Sequence, residues 1–115
     1  MNRLVAIVGP TAIGKSRLAL QLAQDFDGEI VGADSRQVYR YLDIGTAKPG
    51  QQDMALVPHH LIDIINPDVY FGLAQYQQLA RRAIEDIQQR QKLALLVGGS
   101  GLYVRVVVEG LGIPQ

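Results

Sequence analysis

With 115 residues the chain has room for one domain, and a hydrophobic fraction of 48% supplies a core. Lysine plus arginine and aspartate plus glutamate each number 11, so the formal net charge is zero and the basic excess of a self-sufficient nucleic-acid binder is absent. Cysteine is absent too, which excludes a disulfide framework, a cysteine-held zinc and a cysteine nucleophile. No apolar run approaches the roughly 18 residues of a membrane span, so no membrane role is expected and the cytoplasm is the expected location.

The first element is the apolar run Leu4 to Val8, which reads as a strand buried on both faces. Its flanks do not fit a signal peptide, because the run feeds into Gly9-Pro10 instead of a small-residue cleavage site. Lys15 to Phe26 carries Leu18, Ala19, Leu22, Ala23 and Phe26 on one helical face, and Asp27-Gly28 ends it. Glu29 to Ala33 is a second short strand leading to Asp34. Ser35 to Pro58 lacks sustained periodicity and reads as a long functional loop with one or two short helices. Leu61 to Ile65 is expected to be the third strand, closed by Asn66-Pro67. Leu73, Tyr76, Leu79, Ala80, Ala83, Ile84 and Ile87 mark a long amphipathic helix, and Leu93 to Val97 a fourth strand. In Leu102 to Glu109 the valines alternate as in a strand, but Ser100 after Gly98-Gly99 is a natural helix N-cap, and the strand-turn-helix rhythm favours a helix. The expected fold is α/β: a P-loop NTPase-like parallel sheet of about four strands flanked by helices, one domain over residues 1–115, and a truncated core belonging to a longer enzyme.

Between the first strand and the first helix stands GPTAIGKS: Gly9, Pro10, Thr11, Ala12, Ile13, Gly14, Lys15 and Ser16. It meets the pattern G-x-x-x-x-G-K-[ST]. The glycines let successive amides point inward at a phosphate, where they add to the positive end of the helix. Lys15 supplies a full charge, and the Ser16 hydroxyl is the expected ligand of Mg²⁺, the expected cofactor. A chance match in a loop is the bland alternative, and the flanking strand and helix argue against it. Kinases, NTPases and prenyl-diphosphate enzymes all build such loops, so the ligand stays open on this motif alone.

Asp34 closes the second strand, and ligands in open α/β sheets sit beyond the carboxyl ends of the strands. A carboxylate there can hold Mg²⁺ through water or accept a proton from a nucleophile. It can also simply cap the turn that follows. Gln37 suits an adenine edge, Arg36, Arg40 and Lys48 suit phosphates, and Tyr39 and Tyr41 can stack. His59 and His60 look like a metal pair. Adjacent strand residues face opposite ways, so one is expected in the core and one on the surface.

Taken together, GPTAIGKS, DSRQVYRYLDIGTAKP (34–49), PHHLIDI (58–64) and LLVGGSGLY (95–103) resemble the tRNA dimethylallyltransferases, or isopentenyltransferases, in order and in spacing. The resemblance runs over essentially the whole chain, and its most specific part is DSRQVY with DIGTAKP. It implies transfer of the dimethylallyl group of dimethylallyl diphosphate to N6 of adenosine 37 beside a tRNA anticodon. It further implies that Gly9 to Ser16 hold the diphosphate with Mg²⁺. Asp34 would be the general base, and Asp34, Ser35, Arg36, Gln37 and Ser100 would contact the flipped-out tRNA base and its neighbours. Ser16 and Ser100 stand where the family more often carries threonine, and Ile13 is bulkier than the usual residue there.

The resemblance covers about the first third of a family enzyme. The part that grips the anticodon stem would lie beyond it, in keeping with the neutral charge, and the 115-residue chain alone is expected to be inactive or weak. The full-length enzyme is expected to be monomeric, and the short chain to self-associate through apolar surface left uncovered. Alternatives are an adenylate-type isopentenyltransferase, a small-molecule P-loop kinase, and a non-catalytic nucleotide-binding module.

Overall fold

The computed structural model describes residues 4–8, 13–40, 49–99 and 101–110. Eight elements follow in order: β1 (Leu4–Val8), α1 (Ile13–Asp25), β2 (Gly28–Gly32), α2 (Gln51–Leu56), β3 (His59–His60), α3 (Leu73–Gln89), β4 (Leu93–Gly98) and α4 (Gly101–Gly110). The strands form one sheet in the order β1-β4-β2-β3, every pair parallel. Leu4 to Val8 run beside Ala94 to Gly98, Gly28 to Gly32 beside Leu93 to Val97, and Ile30 and Val31 beside His59 and His60.

Successive strand residues face opposite sides of the sheet, and the core divides accordingly. Val31, Ala94 and Leu96 face α3 and α4, where Tyr76, Ala80, Ile84, Ile87 and Val107 are buried with them. Ile30, Leu93 and Leu95 face α1, meeting Ala19 and Ala23. The result is a helix–sheet–helix sandwich. α3 forms where its period demands, because Tyr76, Ala80, Ile84 and Ile87 recur at i, i+4, i+8 and i+11 on one face. Gln75 starts it by accepting the Gly72 amide at 2.5 Å through its side-chain oxygen. α4 is a helix, as its N-terminal turn signal implied, with Tyr103, Val104 and Val107 buried.

Three expectations change. The third strand is His59–His60 and not Leu61–Ile65. Leu61 and Asp63 take positive φ angles of 65° and 58°, which break an extended run. Of the expected strand only Ile65 pairs, in an isolated bridge with Tyr39. β1 is not buried on both faces: it is an edge strand, with Val5 37% and Val8 48% exposed. Leu18 on α1 and Phe26 just past its end lie about half in solvent, while the small Ala19 and Ala23 make the contact with the sheet. The loop after β2 holds one turn at Ser35–Val38 and one short helix, α2, in its described part.

Where β4 ends it lies hard against β2. The Ala33 amide donates to the Val97 carbonyl at 2.8 Å, and a Cβ built on Gly98 would stand 2.1 Å from the Ala33 oxygen. Gly98→Ala must therefore push the two strands apart at their carboxyl ends. A loss of about 1–3 kcal/mol, read by urea denaturation, is expected from such overpacking.

Candidate active site

Because all four strands are parallel, their carboxyl ends share one edge. There Val8 leads to the GPTAIGKS segment, Gly32 leads to Asp34, and Gly98 leads to α4. Gly9, Pro10, Thr11 and Ala12 lie outside the described residues, as do Tyr41, Lys48, most of DIGTAKP and Ser100. α1 begins at Ile13, so Lys15 and Ser16 stand in its first turn, whose amides have no acceptor within the helix. Lys15 is half-buried and Ser16 exposed.

Asp34 is 8% exposed. Its Oδ1 accepts the backbone amides of Arg36 at 2.8 Å and Gln37 at 3.3 Å. The turn-capping reading of Asp34 therefore holds, and it does not exclude the chemical one. One oxygen is spent on the turn, while Oδ2 has no hydrogen-bond partner among the described residues. The same turn is pinned from below, because the Gln37 carbonyl accepts the Asp63 amide at 3.0 Å and the Val38 carbonyl accepts that of Ile64 at 2.9 Å. Ser35 and Arg36 are exposed, and Gln37 is half-buried.

Ser16 and Gln37 come together. They line a cleft with Asp53 and His59 over an apolar floor that includes Ile30 and Val97. Sequence reasoning had no role for Asp53, which lies on the irregularly patterned α2. The His59 Nδ1 lies 2.7 Å from the Val57 carbonyl, which can only accept, so this nitrogen carries the proton. Burial lowers the His59 pKa below the usual imidazole value, outweighing that bond and the nearby Asp53 carboxylate.

The two histidines do not divide into one core and one surface residue. Both are half-buried, and the Nε2 of His60 meets Glu29 Oε1 at 2.7 Å. No group of three or more His, Cys, Asp or Glu side chains among the described residues is placed to hold a metal ion. Arg40 is likewise spoken for: its guanidinium donates to the Asp63 carbonyl at 3.0 Å and to Asn66 Oδ1 at 3.1 Å, tying the 63–66 loop down instead of facing a phosphate. Tyr39 packs against the core beside its bridge to Ile65. No helix among the described residues is long and apolar enough to cross a membrane.

A parallel sheet whose first strand runs through GPTAIGKS into a helix defines a P-loop NTPase-like α/β domain. The chain belongs to the IPP transferase family, whose model matches residues 37–115. It is 61% identical over its full length to the tRNA dimethylallyltransferase of Roseiflexus castenholzii, of which it covers 38%. Over 96% of its length it is 58% identical to that of Geobacter metallireducens, covering 36% of that protein. Among solved structures, the full-length tRNA isopentenylpyrophosphate transferase of Bacillus halodurans superposes with a TM-score of 0.90 at 48% identity, over all of this chain and 38% of that one. A eukaryotic dimethylallyltransferase described as acting on tRNA superposes at 0.84 with 36% identity, over 90% of this chain and 26% of that one. The chain thus spans less than two fifths of the length of these proteins.

Proposed function

We propose that the chain carries the donor site and general base of a tRNA dimethylallyltransferase. In this reading Gly9 to Ser16 hold the diphosphate of dimethylallyl diphosphate, and Asp34 receives a proton from N6 of adenosine 37 of the tRNA. The single observation that carries it is Asp34 itself. In a chain of this family, a buried carboxylate at the crevice edge has one oxygen fixed by turn amides and the other left for chemistry. N6 attacks the first carbon of the prenyl group, the carbon–oxygen bond to diphosphate breaks, and the N6 proton passes to Oδ2.

Lys15 and the amides at the start of α1 stabilise charge growing on the departing diphosphate. The exposed Ser16 hydroxyl, in the first turn of α1, suits Mg²⁺, which prefers few protein oxygens and takes the rest from phosphate and water. When bound, the ion would neutralise the diphosphate. Ser35, Arg36, Gln37 and Ser100 are the proposed contacts to the tRNA acceptor, which reaches the site with its base flipped out. A cytoplasmic location goes with a tRNA substrate.

The experiment is prenylation with labelled dimethylallyl diphosphate, comparing an anticodon stem-loop with adenosine monophosphate as acceptor. The native polypeptide carrying residues 1–115 is expected to label the stem-loop, and the 115-residue chain alone to label it weakly or not at all. Labelling of the free nucleotide in preference would replace this reading with the adenylate-type one. The 115-residue chain is further expected to self-associate through the exposed β1 edge with Val5 and Val8, and sedimentation over a concentration series checks this.

A further inference from the structure

Asp34 has a neighbour at the carboxyl edge. β4 presses on Ala33 at Gly98, α4 starts at Gly101, and Ala33 shares a buried cluster with Tyr103 in the first turn of α4. The Tyr103 ring stacks on Tyr76 with centroids 3.9 Å apart and planes 20° apart, and the Tyr76 hydroxyl is anchored to the Gly32 carbonyl at 2.7 Å. A buried two-ring pillar thus rises from the end of β2 and fixes where Tyr103 sits.

Tyr103 is only 8% exposed, yet no hydrogen bond engages its hydroxyl among the described residues. No fully buried side-chain nitrogen or oxygen among them lacks a partner, so the Tyr103 hydroxyl and Asp34 Oδ2 both reach open space. Burial first, then the Tyr39 phenol and the Asp34 carboxylate, push the Tyr103 hydroxyl above its ordinary pKa. It keeps its proton and is a standing donor. The crevice edge therefore offers an acceptor, Asp34 Oδ2, within electrostatic reach of a donor, Tyr103 Oη.

Adenine shows the complement. Its N6 amine donates, and a ring nitrogen on either side of it accepts, whereas guanine offers O6 and N7 as two acceptors on the same edge. We propose that Tyr103 is a specificity-determining residue for the acceptor base: its hydroxyl donates to the ring nitrogen beside the amine while Asp34 Oδ2 accepts from the amine. This rests on the transfer reaction proposed above. Tyr103 keeps its proton throughout. The N6–carbon bond forms, the carbon–oxygen bond to diphosphate breaks, and the N6 proton goes to Asp34.

The test uses the native polypeptide carrying residues 1–115, its Tyr103→Phe variant, and stem-loops with adenosine, 1-deazaadenosine or 7-deazaadenosine at the target position. Phenylalanine keeps the stack on Tyr76. On adenosine, Tyr103→Phe is expected to lower kcat/KM by about 10- to 100-fold, the worth of one hydrogen bond to a buried partner. One of the two deaza substrates should cost the native protein a similar factor, and on that substrate Tyr103→Phe should cost nothing more. Tyr76→Phe, which loses the bond to Gly32, should lower the Tm without such substrate dependence. Equal losses on all three substrates, or no loss on adenosine, would overturn the inference about Tyr103 alone. Absence of transfer by the native polypeptide would overturn the proposed reaction and this inference with it.

Discussion

Asp34→Asn in the native polypeptide carrying residues 1–115 is expected to lower the proposed prenyl transfer by about 10²- to 10⁴-fold, the usual worth of a positioned general base, with dimethylallyl diphosphate binding little changed. The asparagine is close to an isosteric probe here. Its carbonyl oxygen can still accept the Arg36 and Gln37 amides that Asp34 Oδ1 takes at 2.8 and 3.3 Å, so the turn survives. What changes is the other atom: an amide nitrogen, a donor, stands where an acceptor is needed. Adenine N6 would then have nowhere to send its proton. Single-turnover transfer with labelled donor reads the chemistry, and calorimetry with dimethylallyl diphosphate and Mg²⁺ reads binding. Unchanged turnover would remove the base role and leave Asp34 as the capping residue of its turn.

The parts of this molecule that were legible in the sequence are those whose signal is local. α3 repeats an apolar residue every turn over four turns, and no strand pattern competes with it. β2 and β4 are short apolar runs bounded by glycine and charge, and they are buried almost throughout. The placement of Asp34 followed from its position after β2, because a parallel sheet sends every strand's carboxyl end to one edge. β3 was misplaced for a different reason. Leu61 to Ile65 is more apolar than His59–His60, but pairing with β2 is decided across some thirty residues of sequence. The chain also turns through a positive φ at Leu61 that nothing in a leucine announces. The apolar run of β1 looked like a central strand. Its exposure depends on what lies across the sheet edge, which no property of Leu4 to Val8 encodes. The roles of Arg40, His60 and Tyr103 were hidden likewise, since each depends on a partner more than twenty residues away.

The clearest case of such a hidden partnership is Glu29, a charged residue inside a strand that is buried from end to end. Its side chain is 4% exposed and is forked by the Arg90 guanidinium, with the Arg90 Nη2 to Glu29 Oε1 bond at 2.9 Å. His60 meets the same oxygen at 2.7 Å, and Arg90 also holds Asp86 at 2.9 Å. The cluster joins β2, β3 and the end of α3 at the base of the sheet, away from Asp34. Arg90, outweighing the burial that would raise it, holds the Glu29 carboxyl at about 2, below its ordinary value of 4.5. That depression is worth about 3 kcal/mol of folding stability at neutral pH. Glu29→Gln should remove about that much, since a buried amide keeps a hydrogen bond but not the charge that Arg90 faces. The pH dependence carries the sign. A carboxylate with a lowered folded pKa stabilises fully above its unfolded value, near 4.5, and loses that contribution as pH falls toward 2. Urea midpoints for the native chain and Glu29→Gln should therefore differ most at pH 7 and converge between pH 4.5 and 2. Titrating groups remote from the Glu29, His60, Arg90 and Asp86 cluster are common to both proteins and cancel in the difference. A gap that stays constant down to pH 2 would mean that Glu29 stabilises by shape and not by charge.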